Sequence, residues 1–399
     1  MGETLGVMII GVKGAVATTL ISAGIAAKQG FNCSLSLPSE QDPLYSSLPL
    51  CPLSQMKFGG WDVASSSLSS SLQLHAVLPE IVIDQVSPYL DEVWLAPGIA
   101  LTPAPIQDEL DPQLRKIEAF TSLRPLVDTL KLDIQNFKNA TRVDRVVILD
   151  LSSTAPSMKA HSCHENLDRF EQMLDLPIDE ALSSKAIHEG MLYAYAAISE
   201  GCSCINFTPS VTFDIPALIS LAQQKSVPLC GKDGKTGQTL YKTVLAPLFR
   251  QRALKIQGWY STNILGNRDG EVLDHPEHRK TKIDSKKAVL SDILGYDDFD
   301  HQVHIHYYKP RGDAKEAWDN IDFQGWFGVP MQMKINWLGS DSILAAPLAA
   351  DLIRWMAYFQ SEGVSGVVTA LSSYFKSPLG SETHNFFDQV DQLRHKLKS

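Results

Sequence analysis

No apolar stretch of this 399-residue chain approaches the ~18 residues needed to cross a membrane. The opening residues, MGETLGVMIIGVKG, carry no basic n-region and only a short apolar run, so no secretory signal is expected there. No long basic stripe interrupts a composition with a formal charge of -10, which argues against nucleic acid as the main partner. Six cysteines, at positions 33, 51, 163, 202, 204 and 230, are too scattered for a disulfide framework at this length. A reduced, cytoplasmic protein is therefore expected. There is no low-complexity tract and no internal repeat. The GKT at Gly234-Lys235-Thr236 lacks the glycine that a P-loop places five residues earlier; Leu229 stands there, so this is not an ATP site. What remains is an ordinary globular composition, long enough for two to three domains with more than one core.

Leu5–Ile10 reads as a short buried strand that runs into Gly11-Val12-Lys13-Gly14-Ala15-Val16-Ala17 and then into the apolar helical stretch Leu20 to Ala27. A strand, a glycine turn and a helix in that order open a dinucleotide-binding fold, because the turn lets a pyrophosphate reach the helix N-terminus. The turn is imperfect: Lys13 takes the place of the second glycine and Ala17 that of the third. A Lys13 side chain on the phosphate is one way to accommodate this. Phe31–Leu37 is the expected second strand, and no acidic residue ends it to hold a ribose. Asp62, in Gly59-Gly60-Trp61-Asp62, is the candidate substitute.

Further strands are expected at Glu92–Ala96, Arg145–Leu151 and Ser203–Phe207, with a helix from a Ser183-Ser184 cap to Glu200. Such alternation implies a doubly wound parallel sheet. After Gly237 the pattern changes. Alternation at Ile256–Asn263, Val303–Tyr308 and Met331–Trp337 predicts a second sheet, covered by helices around Leu240–Arg250 and Lys286–Leu294. The apolar helical stretch Ala345–Phe359 is expected to pack back on the first domain. The fold class is thus α/β: a Rossmann-like doubly wound sheet from residues 1–237 plus 340–399, enclosing an inserted α+β sheet domain at 238–339.

The lysines are unusual in their placement. Residues 269–286 pack Arg279, Lys280, Lys282 and Lys286 into an acidic protein. Lys282 and Lys286, four apart, would repel on a helix unless an anion compensates. Lys315 follows Gly312-Asp313-Ala314, and Lys376 sits between Phe375 and Pro378. Crowded lysines lower one another's proton affinity, so that one can accept a proton while the others hold phosphate and oxyanions. Asp313-Ala314-Lys315-Glu316 also has the form of a capping box that opens a helix. His304 and His306 alternate along one strand face without a third ligand at usable spacing, and no metal is expected.

Ordered blocks then resemble the myo-inositol-phosphate synthase (inositol-3-phosphate synthase) family. Gly11-Val12-Lys13-Gly14 resembles its glycine loop, and Gly59-Gly60-Trp61-Asp62 its GGWD element. Ile205-Asn206-Phe207-Thr208-Pro209 is similar to its INGSP segment, and Lys235-Thr236-Gly237-Gln238-Thr239 to KSGQT. Asn263-Ile264-Leu265-Gly266-Asn267-Arg268-Asp269-Gly270 is similar to NHLGNNDG. The blocks around Asp313-Ala314-Lys315, Asp341-Ser342 and Phe375-Lys376-Ser377 follow in turn. Phe207 departs from the family's glycine, Lys232 from the first of two aspartates, and 150–155 follows its WTANTE stretch only loosely.

The resemblance implies an NAD-dependent, redox-neutral isomerase. Glucose 6-phosphate would be oxidised at C5, enolised, closed by an aldol step between C6 and C1, and reduced again. By position, Lys282, Lys286, Lys315, Lys376, Asp233 and Asp341 match the catalytic set, with Lys282 expected at the C5 hydroxyl proton and Lys315 and Lys376 at the C1 carbonyl. Gly11, Val12, Lys13, Gly14, Ala15, Asp62, Thr154 and Asp313 would hold NAD. Asn206, Thr208, Lys235, Gly237, Gln238, Asn263, Leu265, Gly266, Asn267 and Asp269 would line the sugar phosphate site. A homotetramer assembled through the inserted sheet is implied as well. The competing readings are a cyclitol synthase for another phosphorylated sugar, a net sugar-phosphate dehydrogenase, and an NAD-binding sensor without turnover.

Overall fold

A computed structural model of the chain describes residues 4–31, 33–101, 110–266 and 289–398. They fall into two compact units, Met1–Asp233 with Ala346–Val368, and Gly234–Ala345 with Thr369–Ser399. The residues after Thr369, expected with the first unit, therefore pack in the second.

In chain order the first unit supplies β1 (Leu5–Ile10), β2 (Met56–Asp62), β3 (Trp94–Pro97), the short β4 (Ile99–Ala100) and β5 (Arg115–Lys116), β6 (Arg145–Asp150), β7 (Ser203–Asn206) and β8 (Pro228–Gly231). The second supplies β9 (Lys255–Leu265), β10 (Asp300–Tyr307), β11 (Ala314–Gln324) and β12 (Pro330–Ser340), after which β13 (Gly366–Val367) returns to the first. The helices needed below are α1 (Ala15–Gln29), α2 (Leu123–Thr141), α3 (Glu189–Ser199), α4 (Pro216–Gln224), α5 (Gln238–Gln251), α6 (Asp341–Ser361) and α7 (Phe386–Lys398).

The first unit is built on a seven-stranded sheet of order β13-β8-β7-β6-β1-β2-β3. Every neighbouring pair in it runs parallel. All six residues of β1 are buried, as a strand covered on both faces requires. The chain winds outward from β1 in both directions, so the order reverses between β1 and β6. In open α/β sheets this reversal leaves a crevice at the carboxyl ends of the two strands.

Two expectations need correcting here. The second strand is Met56–Asp62, and the described residues 33–37 form no strand. Two adjacent glycines make Met56–Asp62 a poor strand by propensity, yet they are what lets it lie beside β1: a Cβ on Gly60 would stand 2.1 Å from the Ile9 carbonyl oxygen. The helix expected from Ser183 starts at Glu189, where His188 Nδ1 accepts from the Gly190 N–H at 3.1 Å; Ser183 instead ends a shorter helix, Ile178–Ser183.

The second unit carries a four-stranded sheet of order β10-β9-β11-β12, with β9 and β10 parallel and the other pairs antiparallel. One face packs on a core that includes Ala246, Phe249, Trp259, Leu290, Ile293 and Ile321. Here the capping-box expectation fails, because Ala314–Gln324 is strand rather than helix. Pairing with β9 on one side and β12 on the other outweighs a local helix signal worth about 1 kcal/mol. Asp313 still caps a helix, but a distant one. Its carboxylate accepts from the Ser342 N–H (3.2 Å) and hydroxyl (2.6 Å) at the start of α6, and from the Ser340 hydroxyl.

Candidate functional site

Each unit brings together one group of the expected residues. In the first, β1 runs into Gly11, whose φ of +80° suits glycine, and a Cβ there would stand 3.0 Å from the Leu151 carbonyl oxygen. The loops after β1 and β6 thus meet at the crevice, and Thr154 lies on the second of them. Gly14 precedes α1 without a side-chain cap, and the first turn of α1 holds no acidic residue. Uncapped N–H groups at a helix start suit a phosphate, so this corner fits a dinucleotide.

Asp62 ends β2, the position from which a carboxylate ordinarily reaches a ribose. It also holds the glycine turn: Oδ2 accepts from the Lys13 N–H at 2.8 Å and Oδ1 from the Ala64 N–H at 3.0 Å. The Lys13 ammonium donates to the Ala64 carbonyl at 2.5 Å, so the side chain is anchored to the backbone after β2. Asn206 and Thr208 form a buried turn in which Asn206 Oδ1 accepts from the Thr208 N–H (3.0 Å) and hydroxyl (2.8 Å). The Asp233 N–H donates to the Thr208 carbonyl at 2.9 Å, which ties that aspartate to the same turn. Lys232, where the family carries an acid, is answered by Asp214 at 2.6 Å.

In the second unit, residues 234–236 run beside 374–376. Gly234 bridges Phe375, and the Lys235 N–H donates to the Tyr374 carbonyl at 2.8 Å. The pairing sets Thr236 and Lys376 near Asp341, the first residue of α6. Asp341 Oδ1 accepts from the Thr236 hydroxyl at 3.0 Å and from Lys315 Nζ at 3.3 Å. Burial raises the Asp341 carboxyl, but Lys315, Lys376 and the two hydrogen bonds outweigh it and hold the group below the usual carboxylate value. Lys315 comes from β11, where it pairs with Leu265 of β9 and Gly339 of β12. A Cβ on Gly237 would be 3.5 Å from Lys315 Nζ, so the turn before α5 and this ammonium are neighbours.

Gln238 and Asn263 lie buried beside this group, joined by a 2.6 Å hydrogen bond from Asn263 Nδ2 to Gln238 Oε1. Leu265 and Gly266 follow at the end of β9, and a Cβ on Gly266 would collide with Gly312 N at 2.5 Å. Lys235 behaves differently. Its ammonium donates to Gln389 Oε1 of α7 at 2.6 Å, 5.8 Å from the centre of the Phe386 ring, and burial pushes its pKa down to about 7. Lys282, Lys286, Asn267 and Asp269 lie outside the described residues. Sequence reasoning missed Thr236 and two buried titratable side chains of this unit, Asp319 and Lys242. The available signal for Asp319 was its position in an alternating strand, in phase with Ala317 and Ile321.

These features define a doubly wound α/β enzyme that carries a lysine and carboxylate cluster on a second, mixed-sheet unit. Residues 38–398 match the family model for myo-inositol-1-phosphate synthase, and the chain belongs to that family. It is 37% identical to inositol-3-phosphate synthase 1 of Bacteroides thetaiotaomicron, over 99% of this chain and 95% of that protein. The fold is shared with inositol-3-phosphate synthase of Caenorhabditis elegans, with TM-score 0.84 at 21% identity, covering 100% of this chain and 86% of that one. It is shared too with a myo-inositol-1-phosphate synthase-related protein of Thermotoga maritima, with TM-score 0.78 at 22% identity over 99% of both chains.

Proposed function

We propose that the protein is a cytoplasmic, NAD-dependent, redox-neutral isomerase that cyclises glucose 6-phosphate to an inositol phosphate. The observation that carries this reading is the pair of lysines, Lys315 and Lys376, gathered on Asp341 in a chain of this family. Residues 1–237 with 340–399 would serve the cofactor and 238–339 the catalysis and assembly, with 369–399 packing beside the latter. Gly11 to Ala15, Asp62 and Thr154 would hold NAD, with Asp313 supporting the start of α6. NAD, when bound, supplies the hydride acceptor and donor of a reaction without net redox change.

The protein's own groups supply the rest. Enolisation beside a ketone and aldol closure both place negative charge on oxygen, which ammonium groups stabilise where water is excluded. Lys315 and Lys376, gathered beside Asp341, would serve the C1 carbonyl oxygen. Asn206, Thr208, Gly237, Gln238, Asn263, Leu265 and Gly266 would position the sugar phosphate, and Asp233 would assist proton transfer with Lys282 and Lys286. Six free thiols support a reducing compartment, and among the described residues no helix is long and apolar enough to cross a membrane. We also propose a homotetramer built through the mixed sheet. Its β11–β12 turn supports this, with Trp326 85% and Phe327 99% exposed.

The test is incubation with glucose 6-phosphate and substoichiometric NAD, following product by phosphorus NMR and NADH by absorbance. Many turnovers to inositol phosphate per NAD, reduced about a hundredfold or more by Lys315→Ala or Lys376→Ala, would support the reading. Stoichiometric NADH would instead identify a net dehydrogenase, and turnover of only another sugar phosphate a different cyclitol synthase.

A further inference from the structure

The mixed sheet holds a buried polar relay that the reaction above does not use directly. Asp319 of β11 is 3% exposed and shares its strand face with the fully buried Ala317 and Ile321. Its Oδ1 accepts from the Trp259 indole N–H at 2.7 Å and from the Ser261 hydroxyl at 2.6 Å. Its Oδ2 accepts from Gln238 Nε2 at 3.1 Å. Lys242, one turn further along α5, lies within electrostatic reach of Asp319 and 2.7 Å from His301 Nε2. A carboxylate brought this deep into a core needs such a complement of donors.

The relay has a direction. An ionised carboxylate accepts only, so Gln238 must turn its NH2 group towards Asp319 and its carbonyl away. That carbonyl faces Asn263, which must in turn present its own NH2, the 2.6 Å contact observed. The orientation of both amides therefore follows from the carboxylate at the end of the chain. Their neighbour is Gly237, which precedes Gln238 and where an added Cβ would lie 3.5 Å from Lys315 Nζ.

Resting on the substrate assignment proposed above, we infer that Asp319 is a positioning residue for sugar phosphate binding. Through Gln238 it fixes Asn263 with its NH2 inward, so that the Asn263 carbonyl, an acceptor, is left for a substrate hydroxyl. Substrate recognition at Asn263 thus depends on an acid that never touches the substrate.

The test moves the carboxylate along the relay. In Asp319→Asn the new side chain keeps its carbonyl for Trp259 and Ser261 and turns NH2 to Gln238. Donor then meets donor, Gln238 must flip, and Asn263 must flip after it. In Gln238→Glu two carboxylates face each other. In the double variant, Glu at 238 accepts from both Asn side chains, and Asn263 keeps its native orientation with one carboxylate still in the relay. Asp319→Asn is expected to raise KM for glucose 6-phosphate about tenfold or more, with a smaller change in kcat and none in KM for NAD. The double variant should lower that KM again relative to Asp319→Asn alone, without reaching the native value, because Gln238 itself belongs to the proposed sugar phosphate site.

An Asp319→Asn protein with native KM overturns the proposal, as does a folded double variant no better than Asp319→Asn alone. Thermal midpoints provide a readout free of the substrate assignment: each single change should lower the midpoint and the double should restore it. If the native protein does not turn over glucose 6-phosphate, the substrate reading fails and the midpoints alone decide the relay. If Asp319→Asn does not fold, recovery of a folded protein in the double variant supports the relay, and its failure to recover overturns it.

Discussion

Lysines at three positions of the second unit share a chemistry but not a setting. Lys315 reaches a carboxylate at the start of α6, whereas Lys235 and Lys242 are almost wholly buried. Burial disfavours their charged forms and pushes each from the ordinary lysine value of 10.5 to about 7; Asp319 partly opposes this for Lys242. The consequence for stability has a definite sign. Between about pH 7 and 10 the unfolded chain holds a proton on each of these lysines that the folded chain has released, so stability rises with pH across that window and levels off below it. Lys235→Met should remove one residue's share of the slope, although loss of the bond to Gln389 will also lower stability at every pH. Thermal midpoints of both proteins from pH 7 to 9 check this, and identical slopes would refute it. Lys315, Lys376 and Asp341 were legible in the sequence because their motifs carry the family resemblance. Asp319 was not, because its meaning depends on which face of β11 is buried and on partners drawn from α5 and β9, 58 to 81 residues away in the chain.

Strand β2 illustrates what local pattern misses at the level of elements. Phe31–Leu37 has the better strand composition, but the place beside β1 is filled by Met56–Asp62, through Gly59 and Gly60. A Cβ on Gly59 would meet the Trp94 carbonyl oxygen and the Phe137 ring of α2, both at 2.8 Å, and one on Gly60 the Ile9 backbone. Glycine here serves close approach between strands, and backbone does not move aside as a flexible side chain does. Gly60→Ala should therefore destabilise the first unit by about 2 kcal/mol or more. Urea denaturation followed by intrinsic tryptophan fluorescence, to which Trp61, buried at the next position, contributes, measures this, and an unchanged midpoint would show that the sheet can yield. The same competition between local and tertiary signals explains β11. Its sequence suits a helix start, but eleven residues pair with β12 in continuous register. By contrast β1, β6, β7 and α1 were legible because their apolar runs and glycine stops agree with the tertiary fold.

At the scale of the whole molecule, a chain of charge -10 with little exposed apolar surface on its first sheet places two aromatic residues in solvent at one turn. Trp326 and Phe327 lie between β11 and β12, and Val329 and Leu338 add exposed apolar surface on the same hairpin. Among the described residues β12 is also an edge strand, with one side of its backbone unpaired by the sheet. The homotetramer proposed above would bury this surface between copies. Fully burying an aromatic side chain of this kind stabilises an assembly by about 1.5–3 kcal/mol, and symmetric interfaces use each such residue more than once. Replacing both, as Trp326→Asp with Phe327→Asp, removes that gain and adds charge where none can be paired. The self-association constant should fall at least about a hundredfold, equivalent to roughly 2.8 kcal/mol. Light scattering coupled to size-exclusion chromatography, over a dilution series, reads this as a lower mass for the variant at concentrations where the native protein remains assembled. A native protein that is monomeric throughout would reject the assembly, and a variant that keeps the native mass would place the interface elsewhere on the chain.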